Sequence, residues 1–285
     1  MQIGVVYPQT ELAPDPATVR AYSKEVEQLG YRHILVYDHV LGADPAVHQG
    51  WKGPYDIDTP FHEPFVMFGF LAAITRIELV TGIVIAPQRQ TALLAKQAAE
   101  VDILSEGRFR LGVGVGWNRV EYEALGEDFH TRGRREEEQI GLLRRLWTDR
   151  TVTFDGNFDR IQGAGLAPRP VQKPIPIWMG GASKAAFERI GRVADGWFPM
   201  VAPGEDLDEA CRQIKSSADR ANREYHLIGM EGRIPAGADA PRFADKWRQA
   251  GASHLTVDTM RAGNKDLRSH LDALSQTALA LGLAS

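Results

Sequence analysis

Eight apolar, strand-like runs alternate with helix-like segments along the chain, and this alternation limits the fold more than any other feature of the sequence. The runs begin near Ile3, His33, Ile77, Phe109, Ile175, Trp197, Tyr225 and His254. The spacing predicts helices over Pro16–Leu29, Glu63–Ile74, Thr91–Leu104, Arg132–Trp147, Ser183–Val193, Asp206–Arg223, Arg242–Ala250 and Lys265–Leu281. Stop signals such as Leu29-Gly30 and Ser105-Glu106-Gly107 end several of them, because glycine supplies the left-handed residue that closes a helix. Eight such units in 285 residues are the count and length of an α/β fold of the TIM (β/α)8 barrel type, whereas a doubly wound sheet needs fewer strands. No linker, low-complexity tract or short-period repeat divides the chain, so residues 1–285 read as a single domain.

Two stretches interrupt the repeat. Gly42–Pro60, rich in Gly, Pro, Asp and His, follows the second strand and therefore leaves the C-terminal face, where barrel enzymes keep their active sites. It is a candidate lid. Arg150–Pro174, ahead of the fifth strand, contains a hairpin that turns at Asp155-Gly156-Asn157.

Lys and Arg total 33 against 37 Asp and Glu, a net charge of −4 that favours neither nucleic acid nor an anionic membrane. The longest apolar run, Phe65 to Ile74, is about half the roughly 20 residues of a membrane-spanning helix. The opening residues read as a strand and lack the features of a signal peptide, and the lone Cys211 forms no internal disulfide, so a cytoplasmic location is expected. No His or Cys pair has zinc spacing, so no metal is expected.

Three segments carry candidate chemistry. The fourth strand runs Leu111-Gly112-Val113-Gly114-Val115-Gly116-Trp117, and strand alternation puts its three glycines on one face. That bare face leaves room for bulky neighbours or for a flat ligand; the pattern does not match a dinucleotide fingerprint. The fifth strand runs through Trp178-Met179 into Gly180-Gly181-Ala182-Ser183 and then a helix, which is an anion site by composition. It reads equally as an ordinary turn with Ser183 as N-cap, and less well as a nucleophile elbow, since Gly-Ala-Ser-Lys-Ala lacks the last glycine. The second strand ends in Tyr37-Asp38-His39, where His39 is the natural proton donor or acceptor. Gly82 within the third strand predicts a bulge or a close backbone approach, and Glu121 and Glu123 read as a solvated helix start.

In order and spacing, Tyr37-Asp38-His39, Thr81-Gly82 through Pro87, Ala95-Lys96-Gln97 with Asp102 through Arg108, Leu111 to Asn118, Trp178-Met179-Gly180-Gly181 and Ala194-Asp195-Gly196-Trp197 resemble the bacterial luciferase-like monooxygenase superfamily. Within it the likeness is nearest to coenzyme F420-dependent oxidoreductases, and it extends to about Pro203. The resemblance implies a flavin or deazaflavin at the C-terminal mouth, its ring against a bulge at Gly82, Ile83 and Val84 with a cis peptide at Ile83–Val84. It implies a phosphate on Gly180, Gly181, Ala182 and Ser183, ring contacts from Met179, Gly114, Gly116, Trp117 and Asn118, Asp38 at the ring's polar edge, and His39 as the catalytic residue. Some sugar-phosphate dehydrogenases of the family carry a catalytic Glu where this chain has Trp117, which argues against a sugar phosphate substrate. The expected activity is hydride transfer between F420 and a small organic substrate. The alternatives are an FMN-dependent monooxygenase fed reduced flavin by a separate reductase, and a cofactor-binding protein without turnover. F420 adds a negatively charged tail, for which Lys52, Arg89, Arg119 and Lys184 are candidates. Relatives pair as two-fold dimers, and the apolar residues Phe65, Met67, Phe68, Phe70 and Leu71 suggest a homodimer interface on their helix.

Overall fold

The computed structural model describes residues 1–283 and shows a closed parallel barrel. Its first strands are β1 (Gln2–Val6), β2 (His33–Val36), β3 (Glu78–Thr81), β4 (Val84–Ile85) and β5 (Phe109–Gly114). A separate antiparallel hairpin, β6 (Val152–Asp155) and β7 (Arg160–Ala164), is the one the turn residues predict. The barrel continues with β8 (Ile177–Gly180), β9 (Gly196–Phe198), β10 (Gly229–Pro235) and β11 (His254–Asp258), and β11 pairs with β1 to close it. Because β3 and β4 together form the third stave, the barrel has eight staves, as the alternation requires.

The surrounding helices are α1 (Pro16–Gln28), α2 (Pro64–Ala72), α3 (Thr91–Leu104), α4 (Arg119–Ala124), α5 (Arg132–Thr148), α6 (Lys184–Val193), α7 (Glu205–Arg220), α8 (Ala240–Gln249) and α9 (Leu267–Leu281). Local chemistry sets their ends. Asp15 caps α1 by accepting from the N–H groups of Ala17 and Thr18 at 2.9 and 3.0 Å, and Asp266 and Ser269 form a capping box at α9. The seventh predicted strand starts later than expected. The N–H groups of Leu227 and Ile228 bond back to Glu224 and Tyr225, which closes a short 3-10 turn, and β10 begins only at Gly229.

One large apolar cluster fills the layer between staves and helices, and a small one of Val6, Leu35 and Val80 sits inside the barrel. Below that inner layer the barrel floor is ionic rather than apolar. Buried Glu231 accepts from Arg110 at 2.6 Å, lies 2.9 Å from His33 Nε2 and accepts from the Thr256 hydroxyl. Arg110 also grips Glu78 and lies 4.2 Å above the Trp178 ring.

The apolar face of α2 is not an exposed patch. Phe65, Met67, Phe68 and Leu71 are buried within one copy of the chain, Phe70 is half-buried beneath Arg20, and Val66 is the large exposed residue of the helix. Four of the five residues whose exposure suggested an interface, Phe65, Met67, Phe68 and Leu71, are therefore spent on the core of one chain. No helix among the described residues is long and apolar enough to cross a membrane.

Candidate active site at the barrel mouth

The third stave carries the bulge that Gly82 predicts. Val80 pairs with Arg110 and Val84 with Val113, so four steps on one strand face three on its neighbour and one residue is extra. Thr81 spans the gap, its hydroxyl donating to the Gly112 carbonyl and accepting from the Gly112 N–H, both at 2.8 Å. The cis peptide lies at Gly82–Ile83, one residue before the expected Ile83–Val84.

Gly112 and Gly114 of β5 serve this bulge, with Gly116 just beyond it; β5 ends at Gly114 and Gly116 has φ +63°, so the strand alternation expected to carry all three does not reach Gly116. A Cβ on Gly112 would meet the Thr81 carbonyl oxygen at 1.9 Å, and on Gly114 and Gly116 it would meet the side chains of Ile83 and Ile85 at 2.6 and 2.9 Å. Bulky neighbours, not open space, occupy the bare face. Above it a central cleft of about 160 Å³ opens between Ile83, Gly180, Leu35, Phe198 and Arg233. Val84 and Met179 are fully buried behind its wall. At its rim, Gly181 has φ +154°, and a Cβ there would meet that of Ala186 at 2.6 Å. Ala182 and Ser183 are exposed, and Ser183 caps α6 through Ala186 N–H at 3.2 Å.

Asp38 and His39, adjacent in sequence, part company in space. Asp38 is buried, with both oxygens on Arg89 at 2.9 and 3.1 Å and a further bond from Ile85 N–H at 3.3 Å. Burial pushes its carboxyl upward, although Arg89 and the Ile85 N–H pull the other way. Arg89 also binds Glu63, the N-cap of α2, so it locks the end of β2 to a helix start.

His39 instead faces a side cavity of about 330 Å³ and is bonded through Nδ1 to Glu121 at 3.1 Å. Glu121 is 1% exposed and does more. Its other oxygen accepts from the N–H groups of Val40 and Leu41 at 2.6 and 3.1 Å. Burial raises the Glu121 carboxyl, but the hydrogen bond and charge of His39 and the two backbone donors outweigh it and hold the group below its usual range. The expected solvated helix start is thus wrong for Glu121, though right for exposed Glu123. Asn118 caps α4 through Val120 and Glu121 N–H and donates to the Leu41 carbonyl, so it anchors the same segment.

The Gly42–Pro60 segment folds back as a strap over this cavity. Its two ends meet where Ile57 N–H bonds Ala43 at 3.1 Å, and Trp51 lies 5.6 Å from Trp117. Trp117 in turn lies 5.5 Å from the His39 ring. No group of His, Cys, Asp and Glu suited to a metal occurs among the described residues.

Fold and site define a (β/α)8 barrel with a bulged third stave, an apolar central cleft and an imidazole–carboxylate pair beside it. A family model for luciferase-like monooxygenases matches residues 1–240, and the chain belongs to that family. An uncharacterized protein of Mycobacterium tuberculosis is 34% identical over 286 residues, covering 96% of this chain and 98% of its own. An FMNH2-dependent dimethylsulfone monooxygenase of Pseudomonas fluorescens is 35% identical over 169 residues, 58% of this chain and 46% of that one. A solved F420-dependent secondary alcohol dehydrogenase, in complex with an F420–acetone adduct, has the same fold, with a TM-score of 0.77 over 98% of both chains at 16% identity.

Proposed function

We propose that this chain is an F420-dependent oxidoreductase that passes a hydride between the deazaflavin and a small organic substrate, with His39 moving the accompanying proton. The observation that carries the reading is His39 itself, held at Nδ1 by a carboxylate and beside a cavity large enough for a substrate. The residues present fit a flat cofactor. Ile83 and Gly180 line the central cleft, and the Gly180-Gly181-Ala182-Ser183 turn opens α6, where backbone N–H groups favour a phosphate. The deazaflavin, when bound, supplies the hydride chemistry, and the protein supplies position and proton transfer.

With Nδ1 bonded to Glu121, Nε2 is the nitrogen left to meet a substrate oxygen. Glu121 fixes the tilt of the ring and stabilises the imidazolium that forms when His39 takes a proton. Asp38, spent on Arg89, acts through the fold by holding the end of β2 rather than as a second acid.

An FMN-dependent monooxygenase, fed reduced flavin by a separate reductase, is the second reading. It is favoured by the Pseudomonas relative and by the engagement of Arg89, which leaves Lys52, Arg119 and Lys184 for an acidic tail. Titrating the purified protein with each cofactor separates the two. F420 is expected to saturate at a concentration at least ten-fold lower than FMN; binding of FMN alone would move the assignment to the monooxygenase.

A further inference from the structure

The side cavity has a composition that selects among substrates, and an inference drawn from it rests on the barrel mouth being the active site. Three aromatic rings surround His39: Phe61, Tyr55 and Trp117 lie 4.8, 5.4 and 5.5 Å from its ring. Val40, Leu41 and Ile57 add aliphatic surface to a mixed wall that also carries Asp56, Thr59 and Asn118. At about 30 Å³ per water-sized atom the cavity holds on the order of ten non-hydrogen atoms, the size of one substituted ring.

Charge decides the rest. No Lys or Arg lines the cavity, while Asp56 does. None of the nearby cations lines it: Arg261 packs 6.0 Å from the Tyr55 ring of the wall, Arg119 packs on Phe129, and Lys52 lines an outer groove. A phosphate or carboxylate entering here would lose its water and meet no Lys or Arg, only the His39 imidazole and neutral polar groups beside the Asp56 carboxylate. For a cation the wall offers one carboxylate oxygen of Asp56: its other oxygen is held by the Thr59 hydroxyl and Asp58 N–H, both at 3.1 Å, and Glu121 spends its oxygens on His39, Val40 and Leu41. Among the described residues, the polar groups of the wall with no hydrogen bond inside the protein include His39 Nε2 and the Tyr55 hydroxyl. Both suit a neutral oxygen. We infer that this cavity binds an uncharged alcohol or carbonyl compound bearing one aromatic or alicyclic ring, and rejects phosphorylated and carboxylated substrates.

Calorimetry and tryptophan fluorescence on the intact protein, with benzyl alcohol, benzylammonium and benzyl phosphate as probes, test this directly. Benzyl alcohol is expected to bind saturably and quench tryptophan emission, with each charged probe at least ten-fold weaker. Trp117→Ala should weaken benzyl alcohol at least ten-fold while far-UV circular dichroism stays unchanged. Leu41→Arg, which puts a cation on the cavity wall, should bring benzyl phosphate to parity or better. Equal or tighter benzyl phosphate in the native protein overturns the inference, as does failure of all three probes. Tighter benzylammonium replaces it with a cation cage. The cofactor titration is read separately: F420 bound and benzyl alcohol refused contradicts only the substrate class, whereas failure to bind either cofactor contradicts the functional reading itself.

Discussion

Glu121 joins two tasks in one carboxylate, since it orients His39 and also holds the first two N–H groups of the strap root. Replacing it with Gln removes the charge while keeping the shape. Hydrogen bonds to a charged group are worth about 1.5–3 kcal/mol and Gln retains part of them, so a loss of about 1–2 kcal/mol is expected. At roughly 2–4 °C per kcal/mol, Glu121→Gln should lower Tm by about 2–8 °C at pH 7. The sign with pH follows from the lowered carboxyl. Its stabilisation is complete above the ordinary value of 4.5 and is lost as pH falls through the folded value, so native and variant melting curves should converge in acid. Differential scanning calorimetry from pH 7 down to pH 3 checks this, and a gap that never narrows would show that Glu121 is not ionised in its pairing. Nothing in the sequence announces the pairing. Glu121 stands three residues after the N-cap Asn118, an acidic first-turn position that normally faces water, and only the return of the second stave beside α4 brings Val40 and Leu41 to it.

The strand–turn–helix unit at β8 and α6 is where the anion reading can fail cleanly. Gly181→Asp adds a carboxylate beside the helix start and a Cβ that would meet Ala186, so cofactor affinity should fall by at least a hundred-fold while circular dichroism retains the barrel signal. Unchanged affinity in the folded variant would place the phosphate elsewhere. Elements of this kind are legible in the sequence because each advertises itself locally. Pro16 at the start of α1, Ser183 ahead of α6 and the spaced Gly112 and Gly114 of β5 are all short-range signals, and α3 falls on its expected bounds. Long-range burial is not local. The apolar residues of α2 look the same in sequence whether they are exposed or buried in their own core, and only the packing of α2 against β5, with Phe65 and Phe68 about 6 Å from Phe109, shows these two buried within one chain. The same limit applies to the bare face of β5, whose space goes to Ile83 and Ile85 because the bulge pushes them there.

Across the barrel, an ionic floor supports a working mouth. Burial raises the Glu231 carboxyl, but Arg110 and His33 outweigh it and hold the group far below its ordinary value, so its pairing stabilises the fold at neutral pH and that contribution is lost only as pH falls through the folded value. Arg110→Met leaves Glu231 with His33 and Thr256 alone, a buried carboxylate short of a full charge partner. The expected cost is about 3–5 kcal/mol in urea unfolding at pH 7, shrinking toward pH 4 as Glu231 in the variant takes up a proton. A cost that stays the same at both pH values would mean that Arg110 contributes packing against Trp178 rather than charge. On the proposed function, binding and proton transfer at the mouth fall to different residues: the bulge and the β8–α6 turn for the cofactor, His39 for the proton. The direct measurement is F420 affinity and turnover side by side in His39→Ala, assayed with the best substrate from a panel of ring-bearing alcohols and ketones. Affinity should stay within a few-fold of native while kcat falls by about 10² or more, the usual scale for losing a general acid or base. Loss of F420 binding together with activity, or no loss of either, would contradict the assignment of His39 as the proton carrier.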